Sequence, residues 1–316
     1  MFTNIAIYID PSVNSQPMLN CIIPLALVTK ARITLVGVVK PLPPLARMAI
    51  SSAFLEDINK DMIKNTQQSL DKIASTLEVF ALEIKTMVAS GETFIELIRQ
   101  VLKCKFDLLA IMAAKKQLGL PTSFFGSTQM HLLRQCPCPL WIVNPHTTAD
   151  IKNILTPVDA ASEESSEISL NTSLIEASKL VESISHATVH FLQVWSVYAE
   201  GYLSVRGGLS EQSIEDMRKD TLESCKQALL SYTELQDWSK STMHMDLILS
   251  NFPSSEIINT VKQKQIDLLI MGTVCRTGIA GFFIGNTAEK VFTEVSCSVL
   301  AFKPNDFLTP VTLLKE

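Results

Sequence analysis

Ile266-Asp-Leu-Leu-Ile-Met-Gly-Thr-Val-Cys-Arg-Thr-Gly-Ile-Ala-Gly-Phe-Phe-Ile-Gly-Asn-Thr-Ala-Glu-Lys290 reads as strand, glycine-rich loop and helix start. Ile266-Asp-Leu-Leu-Ile is a short apolar run of the kind that fills a buried strand. Thr287-Ala-Glu-Lys-Val-Phe opens a helical pattern, and Gly272, Gly278, Gly281 and Gly285 lie between the two. Glycine reaches positive φ and allows a close backbone approach. The first turn of the following helix carries N–H groups with no partner inside the helix, which suits an anion such as phosphate. The spacing is not that of a P-loop, because no Gly-Lys-Ser/Thr follows, and it is not Gly-x-Gly-x-x-Gly.

The same order of segments occurs earlier in the chain. Phe106-Asp-Leu-Leu-Ala-Ile-Met echoes Ile266-Asp-Leu-Leu-Ile-Met, and Gly126-Ser-Thr echoes Gly285-Asn-Thr. Ser90-Gly-Glu-Thr-Phe-Ile-Glu-Leu-Ile echoes Ser250-Asn-Phe-Pro-Ser-Ser-Glu-Ile-Ile. Cys138-Pro-Leu-Trp-Ile-Val echoes Cys297-Ser-Val-Leu-Ala-Phe, and Ile5-Ala-Ile-Tyr-Ile-Asp10 echoes Ile154-Leu-Thr-Pro-Val-Asp159. Repeats kept in order mark two copies of one unit, each the size of an ordinary domain. The division is expected at 1–147 and 148–316, across the short polar stretch Asn144–Asp150.

Within each unit, apolar β-branched runs alternate with segments of helical periodicity. Strands are expected at Asn4–Ile9, Ile33–Val39, Phe80–Val88, Leu108–Met112 and Leu140–Val143, with helices at Pro17–Thr29, Phe54–Leu77, Thr93–Leu102 and Gly126–Arg134. The second unit repeats this with strands Asn153–Val158, Thr188–Trp195, Met243–Leu249, Leu268–Met271 and Ser298–Phe302, and helices Leu170–Val181, Glu211–Tyr232, Ser254–Lys262 and Thr287–Thr293. Such alternation implies an α/β fold, a mostly parallel sheet of five strands per unit flanked by helices. Ligands on these sheets bind beyond the carboxyl ends of the strands, where Asp10, Asp159 and both glycine loops fall.

Composition excludes several classes. The chain has 316 residues with Lys plus Arg at 27 against Asp plus Glu at 32, and no basic stripe of the kind that neutralises phosphate backbones, so no nucleic-acid partner is expected. Its apolar runs are far shorter than the ~20 residues a bilayer span needs, so no membrane is expected either. No basic segment leads an apolar one at the start, and the cytoplasm is the expected location. The seven cysteines are read as reduced thiols, and Cys136-Pro-Cys138 as small apolar residues at a strand entrance, since a lone pair supplies too few ligands for a closed zinc site. Of the five histidines, His186 and His190 lie four apart but straddle an expected strand entrance and do not share a helix face, so no metal site is expected, and no Gly-x-Ser-x-Gly elbow occurs. Nothing forms a catalytic set.

Met271-Gly-Thr-Val-x-Arg-Thr-Gly-Ile, Gly285-Asn-Thr-Ala-Glu, His131-Leu-Leu-Arg-x-Cys-Pro-x-Pro-x-Trp and Lys303-Pro-Asn-Asp-Phe-x-Thr-Pro-Val together resemble tandem members of the universal stress protein family. The resemblance covers both halves and implies two domains of the adenine nucleotide alpha hydrolase-like fold. It implies an ATP-like adenine nucleotide across the carboxyl end of the sheet, with Mg2+ as an accompanying ion and at most slow, incidental hydrolysis. Carried onto the second half, the nucleotide-binding roles fall on Asp159, Val194, Gly272, Cys275, Gly285, Asn286 and Thr287. Cys275 stands where the family has a glycine, and Asn286 where it has Ser or Thr. The first half departs further. Counted from Asp107, the two early glycine positions fall on Met112 and Lys115; counted from Gly126, they fall on Ala113 and Lys116. No family-type ATP site is expected there, and Lys115-Lys116 is read as a solvated pair, with contact to an anion as the alternative.

The resemblance also implies that the last strands of the two units pair edge to edge, as an intrachain pseudo-dimer that can associate further into a homodimer. The leading function is a stress-response binding module whose partners the sequence does not name. The alternatives are a scaffold without nucleotide, and a pocket for an apolar or acylated ligand beside Leu42–Phe54 and Ser196–Leu209.

Overall fold

The computed structural model describes residues 1–42, 51–113, 125–146, 150–162, 164–205, 207–238, 242–273 and 284–313. The first half runs β1 (Asn4–Tyr8), α1 (Gln16–Thr29), β2 (Arg32–Val39), α2 (Ser52–Leu77), a 3-10 turn (Glu78–Phe80), β3 (Ile84–Ser90), α3 (Thr93–Cys104), β4 (Leu108–Met112), α4 (Ser127–Gln135) and β5 (Leu140–Val143). The second half runs β6 (Asn153–Pro157), α5 (Ser165–Ser185), β7 (Thr188–Trp195), α6 (Glu200–Val205), α7 (Glu211–Thr233), β8 (Met243–Leu249), α8 (Pro253–Gln263), β9 (Leu268–Gly272), α9 (Asn286–Glu294) and β10 (Ser298–Phe302).

The strands form one ten-stranded sheet in the order β3-β2-β1-β4-β5-β10-β9-β6-β7-β8. Pairing is parallel within each half, as in β1 with β2 and β9 with β10. The junction is antiparallel: Val299 faces Ile142, Leu300 faces Trp141 and Ala301 faces Leu140. β4, β5 and β10 are buried along their whole lengths, as parallel strands covered on both faces must be. The pairing covers two apolar edges that would otherwise be open to other chains.

Each face of the sheet carries one large core that draws residues from both halves, and a small separate cluster of Trp195, Val197 and Cys225 lies in the second half. On one face the rings of Phe2 and Phe302 lie 6.3 Å apart. On the other, Phe125 and Phe292 meet edge-on at 6.3 Å, a favoured aromatic geometry.

Repetition extends to the joints. Asp107, just before β4, accepts from the backbone N–H groups of Thr3 and Asn4 at 2.7 and 2.9 Å. Asp267, just before β9, accepts from those of Lys152 and Asn153 at 2.8 and 2.9 Å. Each carboxylate thus ties the start of its half's first strand to its fourth. Lys30, Lys105 and His186 close α1, α3 and α5 with φ of 55°, 53° and 56°, left-handed caps that satisfy an end carbonyl without a glycine. Gly37 is a packing glycine: a Cβ there would meet Thr66 Cγ2 of α2 at 2.5 Å.

Three expectations need correction. Phe80 does not begin β3. It closes a 3-10 turn, Ala81 follows at φ 54°, and pairing with β2 starts at Ile33 with Ile84. Val79 and Phe80 are exposed, so an apolar run here did not mean a buried strand. The stretch 196–209 is not simply a loop, because it holds α6. α5 begins at Ser165 and ends at Ser185, longer at both ends than its apolar periodicity showed. Residues 303–313, the described part of the tail after β10, run without regular structure, with Lys303 Nζ donating to Leu133 O at 2.7 Å and Arg99 Nε to Thr312 O at 3.3 Å. It therefore straps the second half onto the first. Residues 43–50 and Lys115-Lys116 lie outside the described residues.

Candidate functional site

A cavity of about 400 Å³ opens at the carboxyl ends of the second half's strands. Val158 and Asp159 reach it just beyond β6, Val194 from β7, Met271 and Gly272 from β9, and Gly285, Thr287 and Ala288 from the start of α9. Helices α5 and α8 close its sides with Glu167, Leu170, Asn171, Leu174, Pro253 and Ile257. Of the residues singled out from sequence, Asp159, Val194, Gly272, Gly285 and Thr287 thus share one cavity. Asn286 is exposed and is not among its lining residues. Cys275 lies outside the described residues, as do Gly278 and Gly281.

The backbone around Asp159 is pinned. Buried Asn171 donates from Nδ2 to Asp159 O at 2.9 Å, and Ala160 N–H donates to the Gln193 Oε1 at 2.7 Å. At α9 no side chain caps the N-terminus, so N–H groups of the first turn remain for a ligand or water. Gly285 N–H itself donates to Thr273 O at 2.8 Å, which anchors the loop end to the strand end. Among the described lining residues the ionisable ones are Asp159 and Glu167. Burial, and then neighbouring Glu164, pushes the Glu167 carboxyl up. Most of the remaining lining is aliphatic.

Gly272 has a reason of its own. A Cβ there would meet Leu170 Cδ2 at 2.7 Å, so the glycine seats α5 on the strand end. Sequence reasoning assigned it to a ligand, and it missed Glu167 and Asn171. Asn171 carried a usable signal: a polar residue between Leu170 and Leu174 on the helical face that packs inward.

The first half holds the counterpart, a cavity of about 330 Å³ lined by Tyr8, Asp10, Ser12, Lys40, Thr93, Gly126, Ser127, Thr128 and Gln129 among others. Met112, the last residue of β4, lines it where β9 ends in Gly272.

Other chemistry-bearing groups are accounted for by packing. Cys136 and Cys138 are buried with their sulfurs 3.7 Å apart, and the six described cysteines are free thiols. His190 is buried, stacked on His244 at 5.1 Å and 3.6 Å from Asp246. Burial, and then Lys264, pulls the His190 imidazole down. No group of three or more His, Cys, Asp or Glu arranged for a metal occurs among the described residues. No described helix is long and apolar enough to cross a membrane.

Solved structures of similar architecture cover nearly the whole chain. A functionally unknown protein from Pseudomonas aeruginosa aligns with TM-score 0.73 at 20% identity, covering 96% of this chain and 94% of that one. A universal stress protein from Archaeoglobus fulgidus aligns with TM-score 0.61 at 15% identity, covering 95% and 98%. By sequence, universal stress protein E of Escherichia coli is 31% identical over 74% of this chain and 72% of its own length. A universal stress protein E homolog from Haemophilus influenzae is 24% identical over 96% and 98%. The family model described as the universal stress protein family matches twice, at residues 1–144 and 150–303. With both halves matched in tandem, the chain belongs to the universal stress protein family.

Proposed function

We propose that the second half, residues 148–316, is a binding module for an adenine nucleotide, and that the first half, residues 1–147, does not bind ATP in the family's manner. The observation that carries this reading is the convergence of Asp159, Val194, Gly272, Gly285 and Thr287 on one cavity beside the uncapped N-terminus of α9. The N–H groups of that turn and the Thr287 hydroxyl suit phosphate oxygens. Val194, at the end of β7, offers its backbone to the base. The lining is acidic, so a polyphosphate needs a counter-charge, which Mg2+ supplies when held between Asp159 and phosphate. In this reading the chain is a cytoplasmic stress-response protein and an intrachain pseudo-dimer joined at β5 and β10. Nucleotide occupancy biases its shape or partners, which requires that one state bind the nucleotide better than another.

Titrating ATP with Mg2+ into the intact chain by calorimetry tests this. Saturable heat at one site, lost in Gly285→Val, supports it. No heat and no thermal shift in either protein overturns it.

One observation favours a second reading. Leu170, Leu174, Leu192 and Ile257 make the same cavity largely aliphatic, which suits an apolar or acylated ligand. Mass spectrometry of small molecules released from protein purified from cells separates the two.

A further inference from the structure

The two cavities occupy equivalent places but differ at equivalent positions. β1 ends in Tyr8 where β6 ends in Pro157. Thr93 opens α3 where Pro253 opens α8. Gln129 is the third residue of α4 where Ala288 is the third of α9. Each of these six residues lines its cavity. At all three places the first half carries a hydrogen-bonding side chain and the second an apolar one. A polar side chain in a buried wall costs stability unless something satisfies it.

Thr93 is 2% exposed and its Oγ1 has no hydrogen-bond partner. Tyr8 is its neighbour and is itself 9% exposed. Burial, and then Asp10, pushes the Tyr8 hydroxyl up to about 12, although the nearby Thr93 hydroxyl eases it. The phenol therefore stays protonated and able to donate. Gln129 is buried and tethered by its Nε2 to Met112 O at 2.9 Å. That tether fixes the amide and leaves its oxygen as an acceptor. At the start of α4 no side chain caps the helix, and Lys40 is the cation among the described lining residues. Asp10 is turned into its own loop, its Oδ1 accepting from Ser12 N–H and Oγ at 2.9 and 2.7 Å.

The second cavity extends along β7 to Leu192 and Val194. The equivalent Val36 and Val38 of β2 are not among the lining residues of the first. Room for a flat base next to the strand end is thus a property of the second cavity.

We infer that the first-half cavity is a separate binding site for a small phosphorylated sugar or polyol without a nucleobase. The phosphate sits on the first-turn N–H groups of α4 and on Lys40, and the hydroxyls pair with Tyr8, Thr93 and Gln129. This site rests on residues other than those of the nucleotide reading and does not depend on it.

The test is calorimetric titration of ribose 5-phosphate, inorganic phosphate and adenosine, each separately, into the intact chain. The variants are Thr93→Val, Tyr8→Phe, Gln129→Leu and Gly285→Val. The expected result is saturable binding of ribose 5-phosphate, at least tenfold tighter than phosphate. It is weakened tenfold or more by Thr93→Val and by Tyr8→Phe, and it is unchanged in Gly285→Val. Should one of these two variants fail to fold, the other and Gln129→Leu carry the comparison. The inference is overturned by the absence of heat with ribose 5-phosphate. Equal affinity for phosphate alone, loss of binding in Gly285→Val, or competition by adenosine would overturn it too.

Discussion

Trp141 of β5 pairs across the junction with Leu300 of β10, the residue that holds Trp141's own position in the other half. A residue facing its own equivalent marks a local two-fold axis, the relation an isologous dimer interface uses. Here the axis lies within one chain, and both partners belong to the core that spans the two halves.

Trp141 is 2% exposed, and its indole N–H has no hydrogen-bond partner. Trp141→Ala should therefore lower unfolding free energy by roughly 3–5 kcal/mol through lost burial and the cavity left behind. Trp141→Phe keeps an aromatic ring and removes a buried unpartnered donor, so its cost should stay within about 1.5 kcal/mol. Urea unfolding of both variants checks this. Because the cores run through the junction, we expect the intact chain to unfold in one transition by calorimetry, with both halves lost together.

The carboxylates of Asp107 and Asp267 make the same joint in the two halves. Each accepts two backbone N–H groups from the start of its unit's first strand. Asp107→Ala or Asp267→Ala should each cost about 1–3 kcal/mol through the loss of two hydrogen bonds to a charged acceptor. The sites are far apart, so the double variant should be additive within about 0.5 kcal/mol.

Lys303 gives stability a pH dependence. Burial pulls its ammonium down to about 7 from the usual lysine value, against a smaller opposing pull from Cys136. The folded pKa lies below the unfolded one, so above pH 7 the unfolded chain binds more protons than the folded chain. Stability then rises with pH from about 7 toward the ordinary lysine range near 10.4, and the penalty is greatest below 7. Lys303→Met should flatten that rise relative to the native chain. It should also free the tail, because Nζ holds Leu133 O and sits 4.5 Å from the Phe307 ring centroid. Chemical denaturation at a series of pH values, with limited proteolysis of the tail, reads both effects.

Much of this was legible in the sequence because repetition constrains it. The order of strands and helices, the carboxyl-end placement of Asp10 and Asp159 and the grouping of Gly285 with Thr287 all follow from patterns written twice. What was not legible depends on tertiary context. Val79 and Phe80 look like strand residues but sit exposed in a turn, since apolar character alone does not fix where pairing begins. Gly272 lines the cavity, but the packing demand for a glycine there, an added Cβ meeting Leu170 Cδ2, shows only in the tertiary structure. α6 is a single short element with no periodicity to announce it. The polar floor of Tyr8, Thr93 and Gln129 joins three elements distant in sequence, and no local motif links them.

Asp159 and Glu167 together make a prediction about metal. Both line the second cavity, with no cation among its described lining residues. Two carboxylates close to a polyphosphate repel it. ATP should therefore bind at least tenfold more weakly when EDTA removes Mg2+. Adenosine, which has no phosphate, should not respond to the metal. Glu167→Gln removes one charge but keeps the shape, and should restore part of the metal-free affinity. Asp159→Asn should instead weaken Mg2+-ATP binding, because it removes the carboxylate that would share the metal with phosphate. Titrations with and without EDTA distinguish the two acids. If both variants behaved alike, Asp159 would contribute only charge and would have no role as a metal partner.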